Sequence, residues 1–182
     1  MNKLWFVALT TLLMTGPAEA LRVRAMTTTD LVREAAVVVR GRVLTSESRW
    51  NEAHNRIVTD ARVAVLETLS GRAGPELVVV QPGGAVGDTR LHIAGVRYLR
   101  PSEEVVLFLR TDGQRHYLVG FAQGSLFLEV DGAGKRWVRR DVAGLELAAV
   151  RRDGAPPPIE PARRAYEEVA NAVRKAAQEL GR

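Results

Sequence analysis

The sequence predicts a mainly β protein: a small antiparallel barrel, closed or partly open, with a short N-terminal helix and a C-terminal amphipathic helix. Three observations predict it. Short apolar stretches recur at intervals of about 8–15 residues, separated by Gly and Asp-Gly turns. One of these stretches, Ala36 to Trp50, is long and carries Gly41 near its middle, so it can bend and pair on both sides of a small barrel. From Ala162 onward, apolar residues recur at helical rather than strand spacing.

Taken in order, Thr27-Thr28-Thr29-Asp30 supplies N-cap oxygens ahead of Leu31 to Ala36, which predicts one to two helical turns with Leu31, Val32 and Ala35 toward the core. In the long strand, Val37, Val39, Gly41, Val43 and Thr45 share a core face, and Val38, Arg40, Arg42, Leu44 and Ser46 share a mixed one. Asn51 to Asn55 turns the chain. Arg56 to Leu66 returns as the antiparallel partner, with Ile57, Thr59, Ala61, Val63 and Val65 on one face, and Glu67 to Gly71 leads out of it. Glu76 to Gln81 is nearly continuous in apolar residues, as a strand buried on both faces would be. Pro82 to Asp88 is the most glycine-dense loop, and Arg90 to Ile93 is a brief strand after it.

Val105 to Arg110 (V-V-L-F-L-R) is the central strand, and an Asp-Gly turn at Asp112-Gly113 returns Arg115 to Val119 as its hairpin partner. Ser125 to Val130 alternates, Asp131 to Gly134 turns, and Lys135 to Arg140 pairs back. Arg151 to Pro161, with three consecutive prolines, reads as an extended linker. The stripe Ala165, Tyr166, Val169, Ala172, Val173, Ala176 and Leu180 then predicts a helix over 162–181 that docks on the barrel or meets a partner. The bent first strand favours a barrel of the OB type over a sandwich.

The N-terminus predicts export. Lys3, the apolar run Leu4 to Met14, the break at Thr15-Gly16-Pro17 and the Ala18-Glu19-Ala20 site follow the order of a secretory signal peptide, so the mature chain is expected to begin at Leu21 and to reach the periplasm or the medium. The expected organisation is a signal peptide over 1–20, a barrel over 21–150, a Pro-rich linker over 151–161 and the helix. No later stretch reaches the roughly 20 apolar residues of a membrane span. The chain has no cysteine, which excludes disulfides, thiolate metal sites and a Cys nucleophile.

Several runs carry a resemblance: G-R-V-L-T-S-E-S-R-W, I-V-T-D-A-R-V-A-V-L-E-T-L-S-G, P-G-G-A-V-G, P-S-E-E-V-V-L-F-L and V-G-F-A-Q-G-S, in that order over roughly residues 28–128. They resemble a group of exported bacterial proteins with no assigned activity. The fold of that group is similar to the OB-like barrel of netrin-type modules, which include the tissue inhibitors of metalloproteinases. The export signal, the barrel pattern and the lack of a catalytic constellation predict an exported module that binds a protein, a secreted protease being one candidate. Those inhibitors chelate zinc through an N-terminal cysteine, which this chain lacks, so any inhibition here would use another mechanism.

Chemistry-bearing constellations are absent from the sequence pattern. His54, His92 and His116 have no His partner at i+2 or i+4, so no metal site is expected. No serine stands in a G-x-S-x-G context, and Glu103 and Glu104 are adjacent in a strand and so point to opposite faces. The expectation is therefore a protein with no catalytic residues and no cofactor. A hydrolase site assembled from distant residues, such as His54 or His92 with an Asp, is one alternative. The other is a binder of anionic envelope polymers, using Lys135, Arg136, Arg139 and Arg140 around Trp137 in a chain of net charge +5. An aromatic content of 5% argues against base stacking, so nucleic acid is not expected as a partner. The candidate binding residues are Arg49, Trp50 and His54 at the end of the long strand, Gln81, Gly83 and Gly84 at the glycine-rich loop, and Gln123 in the V-G-F-A-Q-G-S run. Trp50 beside Arg49 has the composition of a binding hot spot, and equally of a residue capping the barrel.

Overall fold

The structure, a computed structural model, describes residues 21–148 and 160–182; the expected signal peptide and most of the expected Pro-rich linker lie outside these residues. Its strands are β1 Leu21–Arg24, β2 Val37–Trp50, β3 Ile57–Ser70, β4 Glu76–Pro82, β5 Gly84–Val86, β6 Thr89–Leu91, β7 Glu104–Asp112, β8 Arg115–Leu118, β9 Ser125–Val130, β10 Arg136–Arg140, β11 Leu145–Ala148 and β12 Arg163–Ala165. Two helices, α1 Thr28–Glu34 and α2 Tyr166–Glu179, accompany them. Eight strands form one sheet in the order β12-β10-β9-β7-β2-β3-β4-β8, and β8 also pairs with β7. The strands β7, β2, β3, β4 and β8 thus come partly round on one another.

The expected antiparallel order fails at one place in this sheet: β4 and β8 pair in parallel, through Val79 and His116 alone. The reason is parity. Each of the steps β7–β2, β2–β3, β3–β4 and β7–β8 is antiparallel. Five strands that alternate in direction cannot meet without one parallel contact. A second parallel pair, β1 with β11, stands apart from the large sheet.

β2 carries the bend that the sequence predicts. Its register with β3 shifts at Val38/Val39, Arg40/Gly41 and Val43/Thr45, and each shift adds local coil. At Gly41 the neighbouring strand comes close: a Cβ there would lie 2.5 Å from Val63 Cγ1 and 2.8 Å from the Ala64 carbonyl oxygen. The same shifts let β3 continue past Leu66 to Ser70, beyond its expected exit at Glu67, because Ser70 still finds Val38 as a partner.

Two hydrophobic cores flank this bent strand. Val37, Val39 and Val43 pack inside the ring with Val63, Leu107 and Leu109. Val38 lies on the other face, and it too is fully buried, against Leu31, Phe108, Val169 and Val173. The expected mixed face of β2 is therefore apolar at Val38 and becomes polar only from Arg40. The helices cause this, since α1 and α2 pack together over the outer face of β2, β7 and β9. β7 is apolar without alternation from Val105 to Leu109 for the same reason, being buried on both sides.

α1 starts at a capping box in which Thr27 and Asp30 serve each other's backbone N–H groups. α2 starts four residues later than the sequence predicts. Arg163 to Ala165 are extended and pair with Arg139, Val138 and Trp137 of β10, completing that edge of the sheet before the helix turns inward. The buried face of α2 is Tyr166, Val169, Ala170, Val173, Ala176 and Ala177, so the helix docks on the sheet.

Candidate binding cleft at the seam of the sheet

The register of β3 with β4 determines what the seam exposes. The Gly83 N–H donates to the Ile57 carbonyl at 2.9 Å and the Val65 N–H to the Pro75 carbonyl at 2.8 Å. By the alternation of antiparallel ladders, Leu77, Val79 and Gln81 are then the residues hydrogen-bonded to β3, and the backbone groups of Val78, Val80 and Pro82 face the opposite edge. On the other side, the Val119 N–H donates to the Phe108 carbonyl at 2.9 Å, so His116 and Leu118 turn their backbone groups away from β7 and toward β4. The two edges meet at Val79 and His116, and the ladder stops there. The next rung would join the Leu118 N–H to the Val80 carbonyl. Pro82, at the strand end, has no N–H to offer.

Beyond this bridge the edges part and a cleft of about 300 Å³ opens. Its walls are largely apolar: Val58, Val80 and Pro82 on one side, Tyr117, Leu118 and Phe121 on the other. Phe121 is 40% exposed and holds a left-handed φ of 57° at the start of a 3-10 turn, Phe121–Gly124. That conformation is unusual for an aromatic residue. A third wall is the segment at Val96 and Arg97.

Gln81 holds that wall in place. Its amide donates to the Arg97 carbonyl at 2.9 Å and accepts from the Leu99 N–H at 2.9 Å, while Leu99 is wholly buried. Arg97 grips Glu103 with two hydrogen bonds, 2.6 and 2.7 Å, and lies 3.5 Å from the centroid of the Phe127 ring. Burial alone would raise the Glu103 pKa, but the hydrogen bonds from Arg97 and the Arg100 backbone lower it overall. Arg110 also lines the cleft, 5.9 Å from the centroid of the Tyr117 ring, and among the described residues no carboxylate pairs with it.

The candidate residues from the sequence fall in three places. Arg49 sits directly across from Val58 and so shares the face on which the cleft opens, but its guanidinium is held by Asp60 at 2.7 and 3.3 Å. Trp50, half-buried, pairs with Ile57 at the tip of β2, and exposed His54 lies in the turn beyond with its Nδ1 3.4 Å from the Glu52 carbonyl oxygen. Gly83 and Gly84, with φ of 89° and 132°, carry the chain from β4 into the β5–β6 hairpin, and Gly84 lines a second pocket with His92. Gln123 is 1% exposed; it accepts from the Met26 N–H at 2.8 Å and donates to the Arg24 carbonyl at 3.0 Å. Both glutamines therefore use their amides inside the fold.

The basic cluster around Trp137 is internally matched. Lys135 and Arg163 lie over its ring at 4.4 and 4.3 Å, and its indole N–H donates to Asp131 at 2.8 Å. Arg139 pairs with Glu129, Arg140 with Glu160 and Arg136 with Glu167. Glu103 and Glu104 do part as expected, the first to Arg97 and the second to Arg40 at 2.5 Å. None of the three histidines is hydrogen-bonded to a carboxylate among the described residues, and no group of three or more His, Asp or Glu that could hold a metal occurs there.

No protein-family model matches the chain, and no curated protein matches it. Among the described residues, no helix is long and apolar enough to cross a membrane.

The sequence reading missed Arg110, Tyr117, Leu118 and Phe121. Phe121 lies inside V-G-F-A-Q-G-S, next to the glycine that breaks the strand pattern, and that glycine was the available signal. The others are ordinary hairpin residues whose importance depends on β4 arriving beside them.

Proposed function

We propose that the chain is an exported, non-enzymatic protein-binding module built on an OB-like barrel, and that its partner docks in the seam cleft. The observation that carries this reading is an apolar cleft at an interrupted ladder, with Arg110 at its side unmatched by any carboxylate among the described residues. Apolar walls provide the burial that drives association. The Leu118 N–H and the Val80 carbonyl can pair with an extended segment laid along the seam. Arg110 favours a partner with an acidic side chain or chain-terminal carboxylate beside that segment. The resemblance to netrin-type modules makes a secreted protease one candidate partner; without a cysteine to chelate zinc, such a partner would be inhibited by occlusion.

The test is capture from the secretome of the source cell with the mature chain, comparing wild type with Phe121→Asp and Arg110→Glu. Both positions are exposed, so the variants are expected to fold. Wild type should retain a partner that each variant loses by about tenfold or more. Equal retention by all three proteins, or no retained partner, would sink the reading.

A further inference from the structure

A second pocket, about 360 Å³, lies where the β5–β6 hairpin folds back over the outer part of the β2–β3 hairpin. Ser46, Ser48, Thr59, Arg90, His92 and Tyr98 line it. Ser48 pairs with Thr59, and Ser46 with Ala61, so the three hydroxyls stand on one face two residues apart. Gly84 lies against them so closely that a Cβ would collide with Ser48 Oγ and Thr59 Oγ1. The floor of the pocket is thus bare backbone and hydroxyl oxygen.

The direction of these hydrogen bonds decides what the pocket can accept. Thr59 Oγ1 donates its one proton to the Gly83 carbonyl at 2.8 Å. The 2.9 Å contact between Ser48 and Thr59 is therefore Ser48 donating to Thr59. Tyr98 donates to the Pro82 carbonyl at 3.1 Å, and burial raises its pKa, which keeps the hydroxyl protonated. Ser48 and Tyr98 have then committed their protons inward and offer lone pairs to the pocket. Arg90 offers N–H donors and a positive charge, and no carboxylate pairs with it among the described residues. A fully deprotonated oxyanion has no protons for Ser48 and Tyr98, and inorganic phosphate at neutral pH carries only one or two, on the same group that Arg90 would hold. A neutral polyol leaves Arg90 without a counter-charge.

We propose that this pocket binds a saccharide unit carrying an acidic group, its ring hydroxyls donating to Ser48 and Tyr98 and its anion held by Arg90. The cavity is in the size range of small-ligand sites. The acidic group could be a carboxylate or a phosphate, since Arg90 recognises both. The inference does not rest on the seam cleft: the only strand the two pockets share is β3, where Val58 lines the cleft and Thr59, pointing to the opposite face, lines this pocket.

The experiment is calorimetric titration of the full chain with glucuronate, glucose 6-phosphate, glucose and inorganic phosphate. At least one acidic sugar should bind with a Kd on the order of 1 mM or tighter. Glucose and inorganic phosphate should each bind about tenfold more weakly, or not at all. Preference for glucuronate or for glucose 6-phosphate would identify the acidic group, and either supports the site. Arg90→Gln, a change at an exposed residue, should weaken the acidic sugar about tenfold, and Phe121→Asp in the seam cleft should leave it unchanged. The proposal is overturned if neither acidic sugar binds, if inorganic phosphate binds as well as they do, or if Arg90→Gln has no effect.

Discussion

Gln81 and Gln123 act as pieces of backbone. Each presents an amide oxygen to a main-chain N–H and amide N–H groups to main-chain carbonyls, Gln81 to Arg97 and Gln123 to both Arg24 and Gly120. Removing either amide leaves buried groups unmatched, which costs more than the bond itself contributes. Gln81→Leu keeps the volume and orphans the Arg97 carbonyl and the Leu99 N–H, so urea unfolding should show a loss of about 2–4 kcal/mol; a loss within error of zero would show that the wall at Val96 and Arg97 holds by other means. Sequence shows Gln81 at the end of an apolar run and Gln123 between two glycines, but all their partners except Gly120 lie 16 to 99 positions away, so it cannot tell a satisfied amide from a free one. Tyr166 is a third buried residue whose polar partner, the Glu67 carboxylate, is distant in sequence. Desolvation, then its hydrogen bond to Glu67 at 2.5 Å, pushes its pKa from 10.0 up to about 12. A raised folded pKa gives stability that is fully present below pH 10 and is lost as pH rises toward about 12. For Glu67, burial raises the pKa, but hydrogen bonds from Tyr166 and Arg40 and the nearby Arg174 lower it overall. Its contribution is present above the unfolded value and lost as pH falls through the folded one. Stability measured against pH should drop at both ends, with the alkaline drop reduced in Tyr166→Phe and the acidic drop reduced in Glu67→Gln.

At the scale of elements, period-two alternation located β2, β3 and β9, and continuous apolar runs located β4 and β7. Alternation could not count the layers. Val38 falls on the face that Arg40 and Arg42 make look solvated, yet it is buried beneath α2, whose docking is a contact between residues far apart in sequence. β12 was illegible for a related reason: Arg163-Arg164-Ala165 has no apolar pattern, and only β10 beside it makes it a strand. Gly41 was legible as a place where β2 must yield. Its neighbour on β3 now gives that reading a measurable form. Gly41→Val would drive a branched side chain into Val63 and the Ala64 carbonyl, one contact flexible and the other rigid. The expected loss is about 1–3 kcal/mol from overpacking, read as a lower urea midpoint. On the helical side, Val173→Ala removes two methyl carbons from a fully buried position and should cost roughly 1–3 kcal/mol. An unchanged midpoint for Val173→Ala would mean that α2 leaves the sheet in solution.

At the scale of the whole molecule, the parallel contact between β4 and β8 is the weak line of the sheet. Arithmetic puts it there, since an odd ring of alternating strands needs one such contact, and the contact holds a single register pair. β2 with β3, by contrast, is paired from Val38 to Trp50. Local opening should therefore follow the seam while the centre holds, because exchange of a backbone amide reports the least costly opening that frees it. The Val105 to Leu109 amides lie in the doubly buried β7 and should exchange only on global unfolding. The Leu118 N–H faces the gap that the missing rung leaves and should exchange on the order of 100-fold faster or more. Native-state hydrogen exchange read residue by residue makes the comparison directly. Equal protection at Leu118 and Phe108 would mean that the seam is closed in solution, and the cleft would then lose the open edge on which the proposed docking depends. Fast exchange at Leu118 that slows when a captured partner is added would place that partner along the seam.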